Sequence, residues 1–447
     1  MAATEVLRKD FDDEFPAASK DLLRFITAGS VDDGKSTLIG RLLHDAKALM
    51  EDQIEALARA STRRGLEDLD LSYVTDGLQG EREQGITIDV AYRSFETARR
   101  RFIIADTPGH EQYTRNMVTG ATNADVAVIL VDACKYWLPQ SRRHACVADT
   151  VGIRHLIVAV NKMDMIGYCQ DAFGHIRDEF LDFAAHLHFE RVEFIPISAL
   201  KGDMVVERGD NLPWYGGPTL LAALEEARIP GAAYGSDDAP VRFPVQWVSR
   251  GGGPGRASRR GYMGRIVSGS VAAGDEVVVL PSGRVTHVEE IDTHDGVLAR
   301  AYAPQSVTLH LEDDVDVARG DMIVAAAHRP ALANVFEATL CWLGSEPMSL
   351  RRRRYYIKHG AKTVAAVLSR PSHRLDIVTL ARDSREATLA MNDIGRVTVR
   401  VQEALPWDPY AVNRATGAFI VIDALTHDTV AAGMIEGPAP DSEALAS

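Results

Sequence analysis

The sequence contains no apolar run long enough to cross a membrane. Its strongest, Ala124 to Val131 (ADVAVILV), falls far short of the roughly 20 residues a spanning helix needs and reads as a buried strand. The opening stretch MAATEVLRKDFDDEFPAASK has no apolar core of the signal-peptide type, so a cytoplasmic protein is expected. Cysteine is scarce. Cys134, Cys146, Cys169 and Cys341 are scattered through 447 residues without a C-x-x-C pair, which argues against a disulfide framework or thiolate zinc site and for buried reduced thiols. Basic residues are outnumbered, 49 Lys plus Arg against 63 Asp plus Glu for a net charge of −14, so no nucleic-acid partner is expected. No solenoid-type repeat is present.

What remains is an ordinary globular composition, 46% hydrophobic and 25% charged, in a chain long enough for roughly two to four domains. From 22 to 230, β-type runs alternate with helical stretches. Strands are predicted at 24–29, 101–105, 124–132, 155–160 and 192–197, and an amphipathic helix at 37–50 (TLIGRLLHDAKALM). A further helix is predicted at 51–60 (EDQIEALARA). This alternation implies a mostly parallel sheet covered on both faces. After a linker at 232–240, the pattern changes to short β runs with Gly-rich turns: VRFPVQWV, GYMGRIVSG, GDEVVVL, GRVTHVEEI, SVTLHLE and GDMIVA. These predict a closed barrel. Beyond HRPALA at 328–333, FEATLCWL, RRYYIKHG, KTVAAVLS, GRVTVRVQEAL, GAFIVID and VAAGMI predict a second. The expected division is a flexible segment 1–20, an α/β P-loop domain 21–231, β-barrels at 238–329 and 332–437, and a disordered tail 438–447.

Five phrases follow strand runs or lie between them. Gly29-Ser30-Val31-Asp32-Asp33-Gly34-Lys35-Ser36 fits G-x-x-x-x-G-K-[ST]. Its glycines let backbone N–H groups turn toward a β-phosphate. Lys35 is expected to bridge β- and γ-phosphate oxygens and Ser36 to bind Mg²⁺, with Thr37 beside it. Thr87 in QGITIDV is the candidate switch ligand to Mg²⁺, released when the γ-phosphate leaves; Ile-Thr-Ile is also what a plain strand looks like. Asp106-Thr107-Pro108-Gly109-His110 ends an apolar strand. Asp106 can hold Mg²⁺ through water, and the Gly109 amide can meet the γ-phosphate. By itself Asp-Thr-Pro-Gly is a turn. His110 stands where Ras-type GTPases place a water-orienting Gln. The alternative for it is an exposed loop histidine.

Asn161-Lys162-Met163-Asp164 follows the strand HLIVAV. Asp164 can accept from guanine N1–H and the exocyclic amine. Adenine offers neither, so an adenine nucleotide would leave the carboxylate unpaired. Lys162 would lie along the base and Asn161 would tie its loop to the phosphate loop, although Asn and Asp also simply cap helices. Ser198-Ala199-Leu200 completes the set by offering a backbone N–H to guanine O6. Together the phrases imply a Mg²⁺-dependent GTP pocket.

The set resembles the translation-factor GTPases, a G domain followed by two β-barrels. Within them the chain most resembles the large, GTP-hydrolysing subunits of bacterial sulfate adenylyltransferases. The likeness is most specific in YVTDGLQGEREQGITIDVAYRSF (73–95), ADTPGHEQYTRNMVTGATNADVAVILVDA (105–133), QSRRHA (140–145) and GIRHLIVAVNKMD (152–164). It is looser in GYMGRIVSGSVAAGDEVVVLPSG (261–283) and YIKHGAKTV (356–364). The resemblance implies that His110 is catalytic and swings between the apolar pair Val31 and Ile86. It implies an activity in which ATP and sulfate give adenosine 5′-phosphosulfate and pyrophosphate, with adenylyl transfer on a separate small subunit that binds ATP and sulfate in a hetero-oligomer. GTP hydrolysis here would pull that unfavourable equilibrium forward through a shared conformational cycle. A fused adenylylsulfate kinase, found in some relatives, is not expected, since no second phosphate loop follows. The rival readings are a translation elongation factor carrying aminoacyl-tRNA and a GTP-binding module without turnover. The basic runs Arg351–Arg354 and Arg256, Arg259, Arg260 read as solvated charge or as a docking face for an acidic partner. The segment GGGPGRASRRGY (251–262) is richer in Gly and Arg than the family pattern.

Overall fold

The computed structural model describes residues 21–63, 71, 89–110, 113–135, 139–228, 239–250, 260–349, 353–377, 379–385 and 388–439. The expected N-terminal segment, most of the 232–240 linker and the tail from 440 onward lie outside these residues, as do Ile86, Thr87, Arg256, Arg259, Arg351 and Arg352.

The chain divides into units at Arg228. The first begins with β1 (Leu22–Ala28), α1 (Lys35–Asp45), α2 (Glu51–Arg63), β2 (Ala91–Glu96), β3 (Arg101–Asp106) and α3 (Thr114–Ala121). It continues with β4 (Val126–Asp132), α4 (Pro139–Thr150), β5 (His155–Asn161), a 3₁₀ turn (Met163–Ile166), α5 (Gln170–Ala184), β6 (Arg191–Pro196) and α6 (Leu220–Glu226). The sheet order is β2-β3-β1-β4-β5-β6. Every pairing is parallel except β2 with β3. All residues of β4 and β5 are buried, as their uninterrupted apolar runs require in a sheet covered on both faces. The loops after β1, β3, β5 and β6 therefore gather at the carboxyl edge of the sheet, where open α/β sheets hold ligands.

Two helical expectations resolve differently. EDQIEALARA lies within α2, but 37–50 is not one helix. It ends at Asp45, because Lys47 adopts φ 56 and closes a left-handed cap: Ala48 N–H donates to Leu43 O at 2.9 Å and Lys47 N–H to His44 O at 3.0 Å. The sequence reading also missed β2. Its alternation buries only Phe95, too little apolar signal for an edge strand to stand out. Cys146 and Cys341 are buried free thiols, but Cys134 and Cys169 are exposed, because each sits in a loop following a strand or turn rather than on a core face.

The second unit holds two closed barrels. In the first, β7 (Arg242–Arg250), β8 (Arg260–Arg265), β9 (Ser270–Ala272), β10 (Glu276–Leu280), β11 (Arg284–Thr293), β12 (Gly296–Leu298), β13 (Arg300–Tyr302), β14 (Ser306–Leu311) and β15 (Met322–Ala325) follow in order. The ring β10-β15-β7-β8-β14-β11 closes through β10–β11. In the second, β16 (Ala331–Trp342), β17 (Tyr355–His359), β18 (Lys362–Leu368), β19 (His373–Leu375), β20 (Arg382–Asp383), β21 (Ile394–Trp407), a short helical turn (Arg414–Gly417), β22 (Ala418–Asp423) and β23 (Thr429–Pro438) follow. The ring β16-β23-β22-β17-β18-β21 closes through β16–β21. Closure removes every sheet edge from these rings. Gly437, the last residue expected in the barrel, pairs with Glu337, and Pro438, expected to open a disordered tail, also pairs, with Phe336.

Each barrel has its own core, around Phe243, Tyr262 and Ile291 in one and Phe336, Tyr355 and Trp407 in the other. A buried ion pair joins them. Arg242 Nε and one terminal nitrogen donate to Asp408 Oδ2 and Oδ1, both at 2.8 Å, while Thr416 Oγ1 donates to Asp408 Oδ2 at 2.7 Å. The basic runs are partly internal. Arg353 pairs with Asp423 at 2.7 Å, Arg354 is exposed, and Arg260 opens β8 with its guanidinium 3.6 Å from the exposed Asp314.

Candidate functional site

The loop from Gly29 to Ser36 leaves β1 and turns into α1 at Gly34, whose φ of 91 is open to glycine without strain. A Cβ there would lie 2.5 Å from Asn161 Nδ2, so a side chain is excluded on steric grounds too. Lys35 is buried and folds back on the loop, its Nζ donating to Gly29 O at 2.8 Å and Ser30 O at 2.9 Å. Burial pushes its pKa down, and the nearby Asp106, Asp33 and Asp32 charges oppose that shift. Gly109 approaches closely enough that a Cβ would stand 2.5 Å from Lys35 Nζ and 2.6 Å from Gly29 O. The turn after β3 is thereby pressed against the phosphate loop.

Asp33 turns inward. Its Oδ2 accepts from Ser30 N–H at 2.6 Å, while its Oδ1 and Ser30 Oγ are buried without a hydrogen-bond partner. Burial raises the Asp33 pKa, with Lys35 opposing. Its carboxylate thus staples the loop instead of facing outward. Asp32, with φ 68, and Val31 are exposed, and Ser36 and Thr37 are half-buried on the first turn of α1.

Asp106 is buried at the end of β3, where its Oδ1 accepts from Thr27 Oγ1 at 3.2 Å. Thr107 Oγ1 donates to Thr27 O at 2.7 Å. Thr27 therefore holds both residues, a role the sequence reading missed. Pro108 and Gly109 are buried and His110 is exposed. The His110 ring stands edge-on to Tyr113, centroids 6.0 Å apart; its expected partner Ile86 lies outside the described residues. Ser36 and Asp106 offer a hydroxyl and a carboxylate, a hard-oxygen pair that fits Mg²⁺.

The loop after β5 is locked to the phosphate loop and to the loop after β6 by one side chain. Asn161 Nδ2 donates to Asp33 O at 2.8 Å, and its Oδ1 accepts from Ala199 N–H at 2.9 Å. Lys162 takes a left-handed conformation, φ 63, and its Nζ donates to Asp132 Oδ2 at 2.8 Å. Asp132 lies at the end of β4. Burial works to raise its pKa, but the hydrogen bonds from Lys162 and from Cys134 N–H prevail and hold it below the usual value. The sequence signal for it was a carboxylate closing an apolar strand, as Asp106 does. Met163 is buried. Asp164 is half-buried, with Oδ1 accepting from Ser198 Oγ at 2.8 Å. The Ser198 and Ala199 amides are engaged internally, by Asp203 O at 3.1 Å and Asn161 Oδ1. The sequence reading offers one backbone N–H of this pair to guanine O6. Leu200 is 52% exposed.

His144, from the QSRRHA segment, is buried on α4. Gln140 Oε1 accepts from Arg143, which turns Gln140 Nε2 toward His144 Nε2 at 3.0 Å. A neutral ring accepts that donor; a protonated one cannot. Burial, reinforced by the Lys35 and Arg143 charges, lowers its pKa to about 3.

Among the described residues, no helix is long and apolar enough to cross a membrane. The elongation factor Tu GTP binding domain family matches residues 20–229, and the GTP-eEF1A C-terminal domain-like family matches residues 335–436. The bifunctional enzyme CysN/CysC of Mycobacterium tuberculosis (strain ATCC 25618 / H37Rv) is 52% identical over 414 residues, covering 93% of this chain and 67% of that protein. Sulfate adenylyltransferase subunit 1 of Chromobacterium violaceum is 50% identical over 423 residues, covering 93% and 86%. Its counterpart in Alteromonas mediterranea is 48% identical over 420 residues, covering 93% and 87%. Identity of this order along nearly the whole chain, on a GTP-binding domain whose phosphate and base loops are hydrogen-bonded together, shows that the chain belongs to the sulfate adenylyltransferase subunit 1 family.

Proposed function

We propose that this chain is the GTP-hydrolysing subunit of a cytoplasmic sulfate adenylyltransferase, coupling GTP cleavage to the synthesis of adenosine 5′-phosphosulfate and pyrophosphate from ATP and sulfate on a separate small subunit. The observation that carries it is the Asn161 bridge from Asp33 O to Ala199 N–H. It places the loop bearing Asp164 against the phosphate cradle, as a pocket reading guanine and phosphate together requires.

The Gly29–Ser36 amides and Lys35 hold the phosphates, Lys35 exchanging its loop carbonyls for β- and γ-oxygens. Asp164 accepts from guanine N1–H and the exocyclic amine, and the Ala199 amide is shared with O6. Lys162, held by Asp132, lies along the base. Ser36, Asp106 through water, and Thr87 would hold Mg²⁺, which when bound neutralises charge on the β- and γ-phosphates. The Gly109 amide meets the γ-phosphate, and His110 orients the attacking water once it turns from Tyr113 toward the pocket.

The coupling has a thermodynamic reason. A mixed phosphoric–sulfuric anhydride is less stable than the phosphoanhydride broken to form it, so the adenylyl transfer alone runs toward ATP. Hydrolysis of GTP in the same conformational cycle draws it forward. The elongation-factor reading rests on the shared fold alone. Mixing the chain with the small subunit, ATP, sulfate and GTP should give adenosine phosphosulfate in proportion to GTP cleaved. Product formation indifferent to GTP would overturn the proposal, as would GTP-dependent tRNA binding without sulfate activation.

A further inference from the structure

One cation near the pocket has no part in the chemistry above. Arg41 projects from α1, the helix that begins with Lys35 and Ser36. Its Nε donates to Ala199 O at 3.2 Å and a terminal nitrogen to Leu200 O at 2.6 Å. These are consecutive carbonyls of the loop that follows β6. Asp45, one turn further along α1, pairs with the same guanidinium at 3.5 Å. The loop is drawn in tightly. Gly202, at φ 88, closes it through its N–H to Ser198 O at 2.7 Å. A Cβ on Gly202 would lie 3.4 Å from Asp45 Oδ2 and 3.5 Å from Arg41 Cδ.

We propose that Arg41 is a positioning residue for guanine selectivity, fixing the Ser198–Leu200 loop relative to the helix that starts in the phosphate cradle. The inference rests on the guanine reading above and deepens it. A planar guanidinium can donate to neighbouring carbonyls at once, which an ammonium does less well. With those carbonyls held, the Ala199 N–H and the Ser198 hydroxyl that orients Asp164 keep their places. Without them, the loop keeps its ties to Asn161 and Asp164 and its own turn, but loses its attachment to the helix that starts in the phosphate cradle. Base recognition and phosphate binding are then linked through one rigid helix.

The test separates the base from the phosphates. Kd values for GDP and ADP are measured by competition against a fluorescent guanine nucleotide for the full chain, Arg41→Ala and Arg41→Lys. Loss of two hydrogen bonds from a charged donor should raise the Kd for GDP roughly tenfold in R41A, leave ADP within about twofold, and so lower selectivity; R41K should fall between. Unfolding midpoints for each variant report whether the domain is intact. R41A with wild-type GDP selectivity would overturn the inference alone. Equal weakening of GDP and ADP would also overturn it, since that marks a general defect. Wild-type protein without preference for GDP would remove the guanine reading and this inference together.

Discussion

Replacing Asp164 with asparagine tests the base assignment most directly. The carboxylate is half-buried, and Ser198 Oγ donates to its Oδ1 at 2.8 Å. Guanine would give it hydrogen bonds from N1–H and the exocyclic amine, roughly 1.5–3 kcal/mol each for a charged acceptor. Partial exposure places the pair near the lower end, about 3 kcal/mol in total. Asp164→Asn should therefore raise the GDP Kd on the order of a hundredfold. The Ser198 hydroxyl favours the amide oxygen at the Oδ1 position, since Lys201 N–H already donates to that hydroxyl at 3.1 Å. The amide NH₂ then occupies the other position, where it can donate to the 2-oxo group of xanthine. A neutral hydrogen bond of roughly 1 kcal/mol should improve XDP binding several-fold. Titration calorimetry of GDP and XDP against both proteins reads the ratio. A variant that keeps full preference for GDP would show that Asp164 does not read the base.

His110→Ala should bind GDP as wild type does but lose roughly 10²–10⁴-fold of partner-stimulated turnover; unchanged turnover in a steady-state phosphate-release assay would remove His110 from the chemistry. His144, with its pKa lowered to about 3 from 6.5, sets a pH dependence. Its folded pKa lies below the unfolded one, so its contribution is intact above 6.5 and is lost as pH falls toward 3, at about 1.4 kcal/mol per pH unit. Urea midpoints between pH 7 and 5 should fall less steeply in His144→Gln, and parallel slopes would contradict the buried neutral ring. Arg242→Met should destabilise the barrel pair by about 3–5 kcal/mol by stranding the Asp408 carboxylate, whereas Arg242→Met with Asp408→Leu should cost far less. Equal losses in denaturant unfolding would show that the pair's charges are not what matters.

Much of this molecule was legible in one dimension. The six strand runs assigned to each barrel are the six that close each ring, because alternating apolar positions and glycine turns are local signals. The parallel sheet was legible for the same reason: β4 and β5 are buried throughout, and each carries an uninterrupted apolar run that a polar residue closes, Asp132 and Asn161. The end of α1 was not, because Lys47 in a left-handed cap carries none of glycine's signature. β2 was missed because an edge strand with one buried side chain leaves little pattern.

The sequence by itself determined the chemical parts of the pocket. Each motif brings its own donors and acceptors, and backbone conformation within a short loop depends on neighbours in the chain. Tertiary structure decided how those parts are joined: Asn161 to Asp33 and Ala199, Lys162 to Asp132, Asp164 to Ser198, Arg41 to Ala199 and Leu200. These partners are 30 to 159 positions apart. A hydrogen bond requires its atoms within about 3 Å of one another, and only the folded sheet, by bringing its carboxyl-edge loops together, satisfies that requirement.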